Sequence, residues 1–190
     1  MRNDEVKEQL ISAAVALLLE AEKPERITSR EIAARSKTNL AMINYYFKSK
    51  DQLLNLAIGK IMEESADSFQ AAPKTFIPPR KRLQNMLYEL CEMVVKYQRF
   101  TRIYIPYILL HDEITVPLYI IPILHEYFGE AKTELECKVI GYQMISFMQL
   151  VFLRSDAFYK YAGANIMEAE VRTHLIDMEL NLFLGEEKQE

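Results

Sequence analysis

Apolar residues along this chain recur at intervals of three and four positions, which is the periodicity of an amphipathic α-helix. The first such stretch covers residues 4–21 and ends at the turn-forming pair Lys23-Pro24. Its apolar face is formed by five positions at helical spacing, Val6, Leu10, Ala14, Leu17 and Leu18. The sequence lacks runs that alternate apolar and polar residues, which are typical of half-buried strands. The pattern therefore predicts an all-α protein.

The stretch from Ile27 to Phe47 predicts two short helices joined by a tight turn. Thr28 is a favourable N-cap, and Glu31 follows three residues later, where a capping box requires it. Residues 36–39 (Ser-Lys-Thr-Asn) favour turns and caps. The second helix has one apolar face and one smaller, more polar face, formed respectively by Leu40, Ile43 and Phe47 and by Ala41, Asn44 and Tyr45. This is the arrangement of a helix-turn-helix, in which the second helix enters a DNA groove.

On these residues the segment resembles the TetR family of bacterial transcriptional regulators. Matching residues occur in the family's order and spacing at Thr28, Ile32, Ala33, Ala41, Tyr46, Phe47, Lys50, Asp51 and Leu53. There are two departures from the family pattern. Lys37 occupies the glycine position of the turn, where a left-handed φ costs a non-glycine residue about 1 kcal/mol. Asn44 replaces the first tyrosine of the common aromatic run, which changes what the second helix can recognise.

The resemblance implies a two-part architecture. We expect a three-helix DNA-binding domain at residues 1–64, with the helix-turn-helix at about 27–47. A larger helical body for ligand binding and dimerisation is expected at residues 65–190. A proline-rich loop from Pro73 to Pro79 is the expected junction, and a long helix from Lys50 toward Phe69 leads from the motif to it. A further helix is expected from Arg80 to about Tyr97.

The motif also predicts which side chains contact double-stranded DNA. We expect five residues to face the major groove: Asn39, Ala41, Met42, Asn44 and Tyr45. Thr28, Tyr46 and Lys50 are expected to contact phosphates. Ser29 completes the expected DNA-binding set. Asn44 is the best candidate for direct readout, because an amide can pair with both N6 and N7 of adenine.

The distribution of charge supports a DNA-binding face on a protein that is acidic overall. The net charge of the chain is -4, yet residues 26–50 contain six basic residues and one acidic residue. From residue 64 onward there are 13 basic and 18 acidic residues. A basic patch on an acidic body attracts one face of the protein to phosphates and repels the remainder.

The two helices nearest the carboxyl end both need packing partners. The first spans about 130–161 and is apolar nearly all round between Val139 and Leu153, so it needs partners on more than one side. The second spans 165–184 and carries an apolar seam, formed by Val171, Leu175, Met178 and Leu182. In the TetR family the final two helices pair with those of a second copy, so the resemblance implies a dimer. Two half-sites about 34–36 Å apart also require two copies.

Residues 98–129 suggest a binding site for a small-molecule effector. Three prolines, Pro106, Pro117 and Pro122, divide this apolar stretch into short helical pieces, and no Lys or Arg occurs from Ile103 to Leu124. The lining of a pocket for a mostly apolar ligand is expected to include Tyr107, His111, Tyr119, Tyr142 and Phe147. The alternative is that the same aromatic residues are ordinary core and connecting loops.

Other classes of function find little support in the sequence. Nucleotide-binding glycine loops and hydrolase or metalloprotease motifs are missing, so we expect no enzyme, no cofactor and no metal site. Cys91 and Cys137 are isolated, and the polar amino terminus does not suggest export, which together indicate a cytoplasmic protein without a membrane partner. The expected function is a homodimeric repressor released by a small ligand. A DNA-bound structural protein or one regulated by a protein partner is the alternative, and a helical enzyme or carrier is a weaker third.

Overall fold

The computed structural model describes residues 2–66, 77–111 and 113–186, with side chains from Asp4 to Met62 in the first range. Throughout these residues the regular structure is helical, which confirms the all-α prediction. The α-helices are α1 (Arg2–Glu20), α2 (Ser29–Arg35), α3 (Leu40–Phe47), α4 (Lys50–Ala66), α5 (Pro79–Lys96), α6 (Gln98–His111), α7 (Ile121–Phe128), α8 (Glu134–Leu153), α9 (Ser155–Ala162) and α10 (Ala169–Leu184). Short 3-10 turns occur at Pro24–Arg26, Val116–Tyr119 and Gly129–Ala131.

The chain forms two compact units. The first contains residues 1–73 together with residues 99–107, which belong to α6. Within it α1 packs against α4 and α2, and α3 packs against α2 and α4. Its largest fully buried side chains come from each of these helices: Phe100, Leu10, Leu18, Ile32, Ile43, Leu53 and Ile58. This shared core holds the short helices α2 and α3, which are too short to be stable alone.

The second unit contains residues 74–98 and 108–190. Helix α5 packs against α10 and α7, and α8 packs against α7 and the turn at Val116–Tyr119. Gly141 allows a close approach there, because a Cβ atom at this position would lie 2.9 Å from Cδ1 of Ile121. The largest fully buried side chains of this unit include Leu83, Leu87, Ile120, Leu124 and Met144.

Several helix limits differ from those expected. Pro106 lies inside α6 instead of ending a helix. Its ring removes one hydrogen bond of the helix, to the carbonyl of Arg102, which is an exposed residue. The single helix expected at 130–161 is two helices, since at Arg154 the backbone (φ -115°, ψ 33°) leaves the helical region. Helix α10 begins at Ala169, four residues later than expected.

Two expectations fall on or near the residues that are not described. The junction from Pro73 to Pro79 lies mostly outside the described residues, and α5 begins at its last residue, Pro79. The expected end of the preceding helix, Phe69, also lies outside them. Helix α4 is continuous from Lys50 to Ala66 and so crosses residue 64, the expected domain limit, which stays a prediction.

Candidate DNA-binding surface

The start of α2 has the capping box that its sequence predicts. Oγ1 of Thr28 accepts a hydrogen bond from the backbone N–H of Glu31 at 3.3 Å. The Glu31 carboxylate accepts bonds at 2.7 Å from both the backbone N–H and the hydroxyl of Thr28. These bonds, the one from the Thr28 side chain first, lower the pKa of Glu31. The prediction of a cap is confirmed, and the Thr28 hydroxyl proton is engaged within the protein.

The turn between α2 and α3 is a Schellman motif with a lysine at its left-handed position. The backbone N–H of Lys37 donates to the carbonyl of Ala34 at 3.2 Å, and that of Thr38 donates to the carbonyl of Ala33 at 3.0 Å. The φ angle of Lys37 is 54°, which is the left-handed conformation expected at the glycine position of the TetR-like turn. Ser36 closes the last turn through its hydroxyl, which donates to the carbonyl of Ile32 at 2.8 Å.

Helix α3 has one buried and one exposed side. Oδ1 of Asn39 caps its start by accepting from the backbone N–H of Ala41 at 3.0 Å. Ile43 and Phe47 are buried, whereas Leu40 is 42% exposed and therefore lies outside the apolar face predicted for it.

The residues expected to face DNA lie on the outer side of the motif. Asn39, Ala41, Asn44 and Tyr45 are exposed. Ser29, Met42 and Tyr46 are half-buried. Tyr45 is 68% exposed and packs edge-to-face on Tyr46, with 4.9 Å between ring centroids. Burial, with smaller contributions from Tyr45 and Asp4, raises the pKa of Tyr46. Their contacts with DNA stay predictions.

Lys50 has a structural partner that the sequence did not indicate. Its ammonium donates to the carbonyl of Ile27 at 3.0 Å and lies 3.5 Å from the carboxylate of Asp51. This bond joins the start of α4 to the residue before the cap of α2. Lys50 therefore positions the motif within the protein, whatever it contributes at a phosphate.

The residues predicted to bind a ligand do not form an enclosed lining in the second unit. Tyr119, Tyr142 and Phe147 are between 37% and 58% exposed, which an enclosed pocket would not allow. Phe147 packs against Phe158 at 6.2 Å between ring centroids. In α6, Tyr107 is half-buried and belongs to the first unit, whereas His111 is exposed and belongs to the second.

The predicted dimer seam divides between the core and the surface. Leu175 is 8% exposed and packs inside its own unit, so it is not available to a partner. Val171 is half-buried, whereas Met178 and Leu182 are 47% and 78% exposed. The core of the second unit covers the side of α10 that carries Leu175, and the dimer seam stays a prediction.

An exposed apolar stripe on α8 was not predicted residue by residue. Its members recur at helical spacing along one side of the helix: Leu135, Val139, Tyr142, Leu150 and Leu153. The near-continuous apolar sequence of this helix indicated that it needs several partners. Only the folded chain distinguishes these residues from the buried Ile140, Met144 and Met148.

Within the described ranges, His, Cys, Asp and Glu side chains do not form a group of three that could hold a metal ion. His125 instead lies 2.9 Å from the carboxylate of Glu134. Of the helices in the described residues, none has the length and apolar character needed to cross a membrane. Cys91 and Cys137 are buried free thiols, and burial raises the pKa of Cys91 to about 12.

Comparison with known proteins matches the amino-terminal unit in sequence and the whole chain in fold. A sequence model for bacterial regulatory proteins of the tetR family matches residues 10–57. The HTH-type transcriptional dual regulator CecR of Shigella flexneri is 30% identical over 103 residues, which are 50% of this chain and 45% of that protein. The chain thus matches less than half of the length of this curated relative.

Two solved structures have similar folds over nearly their full length. Thermus thermophilus FadR, a TetR-family repressor in complex with lauroyl-CoA, aligns with a TM-score of 0.67 and 18% identity, over 97% of this chain and 96% of that one. A TetR transcriptional regulator from Rhodococcus sp. RHA1 aligns with a TM-score of 0.64 and 16% identity, over 95% and 98% respectively. At these identities the similarity concerns the fold alone.

Proposed function

We propose that this chain, whose residues 10–57 match the model for regulatory proteins of the tetR family, is a TetR-family regulator and acts as a homodimeric repressor released from its operator by a small, mostly apolar ligand. The observation that carries the proposal is the outer side of α3. There a capped helix presents a small residue, Ala41, beside the amide of Asn44 and the ring of Tyr45, all exposed. A helix of this kind can approach base edges closely and form hydrogen bonds with them.

The first experiment tests base readout. DNA fragments selected by the purified protein would define the operator, and each base pair would then be varied in turn. Replacing Asn44 with Ala should relax preference at one base pair, at a cost of about 1–3 kcal/mol for the preferred base. Lys60, whose ammonium lies 3.4 Å from a Glu8 carboxylate oxygen, supplies a control, since Lys60→Ala should leave base preference unchanged. An equal loss of affinity on every sequence with Asn44→Ala would refute the readout role.

The exposed apolar stripe of α8, with Met178 and Leu182 of α10, supports a dimer. Such a surface is typical of a face that is covered by another protein. A charge at Leu182, which is 78% exposed in the protomer, should leave the fold intact and prevent association. Leu182→Glu should therefore sediment as a folded monomer that binds the operator weakly. Leu19→Glu introduces the same charge at an exposed site of the first unit and should remain a dimer. A dimeric Leu182→Glu would exclude this face.

The proposed effector is a molecule with a long acyl or an aromatic group. The absence of Lys and Arg from Ile103 to Leu124 supports this class, because a buried anionic group would need a basic partner. The FadR relative carries a fatty acyl thioester in its crystal, which is in keeping with such a ligand. Tyr107, His111, Tyr119, Tyr142 and Phe147 stay the candidate contacts, although the exposure of Tyr142 and Phe147 also suits the dimer face.

Thermal-shift measurements with free fatty acids, acyl-CoA, coenzyme A alone, aromatic acids and small phosphorylated metabolites test the ligand class. Compounds with an acyl or aromatic group should raise the unfolding temperature and weaken operator binding, because a ligand shifts a conformational equilibrium only through unequal affinity for its two states. Coenzyme A alone is the control for the anionic part. Stabilisation and release by phosphorylated metabolites alone would contradict the proposal.

One observation favours regulation by a protein partner as the second candidate. Four exposed apolar side chains occur close together in the sequence at the end of α6 and in the segment before α7: Leu110, Ile114, Leu118 and Tyr119. If they bind a partner protein, Leu118→Glu should abolish regulation in cells while operator binding by the purified protein is unchanged. A ligand that releases the wild type and the Leu118→Glu variant equally from DNA would favour the first candidate.

A further inference from the structure

Two residues in the described part of the chain have a left-handed φ without being glycine. They are Lys37, with φ 54°, and Lys48, with φ 61°. Positive φ is uncommon in residues with a Cβ atom, and where it occurs Asn, Asp and His are enriched. Both exceptions here are lysines, and they stand at the two ends of α3, the helix that presents Asn44.

At Lys37 the left-handed conformation is imposed by the end of α2. The Schellman hydrogen bonds from the backbone N–H groups of Lys37 and Thr38 fix this residue at the position that helices most often give to glycine. A glycine would adopt this φ without steric cost. The lysine side chain is exposed, so burial of its aliphatic part does not explain its presence.

At Lys48 the strained backbone is a tight turn between α3 and α4. Its φ of 61° and ψ of -32°, with a 2.6 Å hydrogen bond from the N–H of Ser49 to the carbonyl of Phe47, form a classic γ-turn, which is rare and strained. This lysine too is exposed. The turn lets α4 begin two residues later, so the chain needs the conformation but not the lysine.

Neither ammonium group has a partner among the residues that the structure describes. By contrast, Arg35 pairs with Glu20, and Lys50 donates to the carbonyl of Ile27. Two of the six basic residues in the segment are thus engaged within the protein, whereas Lys37 and Lys48 keep uncompensated charges beside α3. Backbone strain retained at a polar surface often marks a functional site.

We propose that Lys37 and Lys48 each bind a DNA phosphate, one at each end of α3, and that this contact explains why lysine stands where glycine would fit without strain. The inference rests on the proposed DNA-binding function. Helix α3 has 8 residues and is therefore about 12 Å long, which is close to the width of the major groove. Its two ends consequently lie within reach of the phosphate strands that border the groove, and contacts at both ends fix its register on the duplex.

A structural alternative makes the opposite prediction about folding. Lys37 follows the last turn of α2 and Lys48 that of α3, where a positive charge interacts favourably with the helix dipole. If this interaction explains the lysines, glycine at either position should lower stability and leave DNA binding unchanged. If they bind phosphates, glycine should relieve strain and weaken DNA binding. The helix-dipole explanation and the phosphate explanation therefore predict different changes in stability and in DNA affinity.

The experiment compares Lys37→Gly, Lys48→Gly, the double variant and the Lys60→Ala control. Affinity for the selected operator and for random duplex DNA is measured over a range of salt concentrations, and the denaturant midpoint is measured in parallel. Each glycine should reduce the slope of log K against log salt by about 0.9, and the double variant by about 1.8. Both DNA sequences should be affected alike, and the midpoint should stay the same or rise. Lys37→Arg should keep the wild-type slope.

Three outcomes overturn the inference. Glycine variants with an unchanged salt slope and selective operator binding would refute the phosphate contacts while leaving the proposed function intact. A lowered denaturant midpoint together with an unchanged slope would assign the lysines to the helix ends. A wild-type protein that selects no DNA sequence would refute the proposed function, and this inference with it.

Discussion

The helix ends of the helix-turn-helix in the first unit and the buried polar groups of the second unit find their partners over different distances along the chain. In the first unit the ends of α2 and α3 are closed by residues two to five positions away, as in the bonds of Thr28 with Glu31 and of Asn39 with Ala41. In the second unit Arg172, which is almost fully buried, pairs with Glu92, 80 residues earlier. The helix ends of the DNA-binding motif are thus closed by neighbouring residues, whereas the buried guanidinium of the body depends on a distant helix.

The buried polar groups of the second unit lie where α10 packs against α5. The Arg172 guanidinium also donates to the carbonyls of Ile166 and Met167, at 3.1 and 2.7 Å, and so fixes the segment before α10. Glu179, two helical turns further along the same side of α10, is 5% exposed, and its Oε2 has no hydrogen-bond partner among the described residues. Burial raises the pKa of Glu179 to about 8. We therefore expect the body to respond to pH far more than the motif does.

The largest expected effect comes from a charge on the buried side of α10. Leu175→Glu should reduce the free energy of unfolding by about 4 kcal/mol or more, since the carboxylate enters the core without a partner. Denaturant unfolding followed by circular dichroism measures this loss. Leu182→Glu, two helical turns further along α10 at a position that is 78% exposed, is the matched variant and should be nearly neutral for folding. Equal stability of the two variants would show that Leu175 is not part of the core.

Breaking the long-range ion pair should have the next largest effect. Arg172→Ala should cost about 3 kcal/mol of unfolding free energy, because two carbonyls of the preceding segment lose a buried donor. Glu92→Gln should cost clearly less, since the Glu92 side chain is 41% exposed and water replaces the lost contact. The measurement is again denaturant unfolding. Similar costs for both variants would place the stabilisation in the ion pair itself and not in the carbonyl bonds.

The pH dependence of stability sharpens the comparison further. The folded-state pKa of Glu179, about 8, lies above its ordinary value of 4.5. Between these values the folded state holds a proton that the unfolded state has lost, so unfolding free energy should fall as pH rises, by at most about 1.4 kcal/mol per pH unit. The Glu179→Gln variant should lack this component of the slope. Identical slopes for wild type and variant from pH 5 to 8 would refute the burial argument.

The smallest effect concerns the local cap of the first unit. Thr28→Ala should cost about 1 kcal/mol, because the first turn of α2 loses a side-chain acceptor. Thr28→Ser keeps the hydroxyl and should be close to wild type. Hydrogen exchange at the amide of Glu31 measures the effect where it occurs. A loss of protection confined to the second unit would contradict the local character of the motif.

Sequence reasoning succeeded where a residue's partner is nearby in the chain. The capping box of Thr28 and Glu31 and the left-handed Lys37 could be predicted, because helix ends leave N–H and carbonyl groups whose partners lie within a few residues. It failed for Lys50, whose ammonium bonds the carbonyl of Ile27, 23 residues earlier. A lysine in a basic segment gives no local sign of such a partner.

Proline and apolar periodicity were less reliable guides in the body. Pro106 was expected to end a helix but lies within α6, since one missing hydrogen bond can be offset by packing, as at the neighbouring buried Ile105. The break at Arg154 between α8 and α9 carries no proline or glycine and was not expected. Helix limits of this kind depend on how the flanking helices pack.

Leu175 and Met178 show where local information ends. Both are apolar, both suit a helix, and they stand three residues apart, so periodicity alone assigns them to the same seam. In the folded chain Leu175 is 8% exposed and Met178 is 47% exposed, because α5 packs against one side of α10. Hydrogen bonds at helix ends are short-range and are therefore encoded in neighbouring residues. Burial of a helix face depends on which distant helix covers it, and that is settled only when the chain has packed.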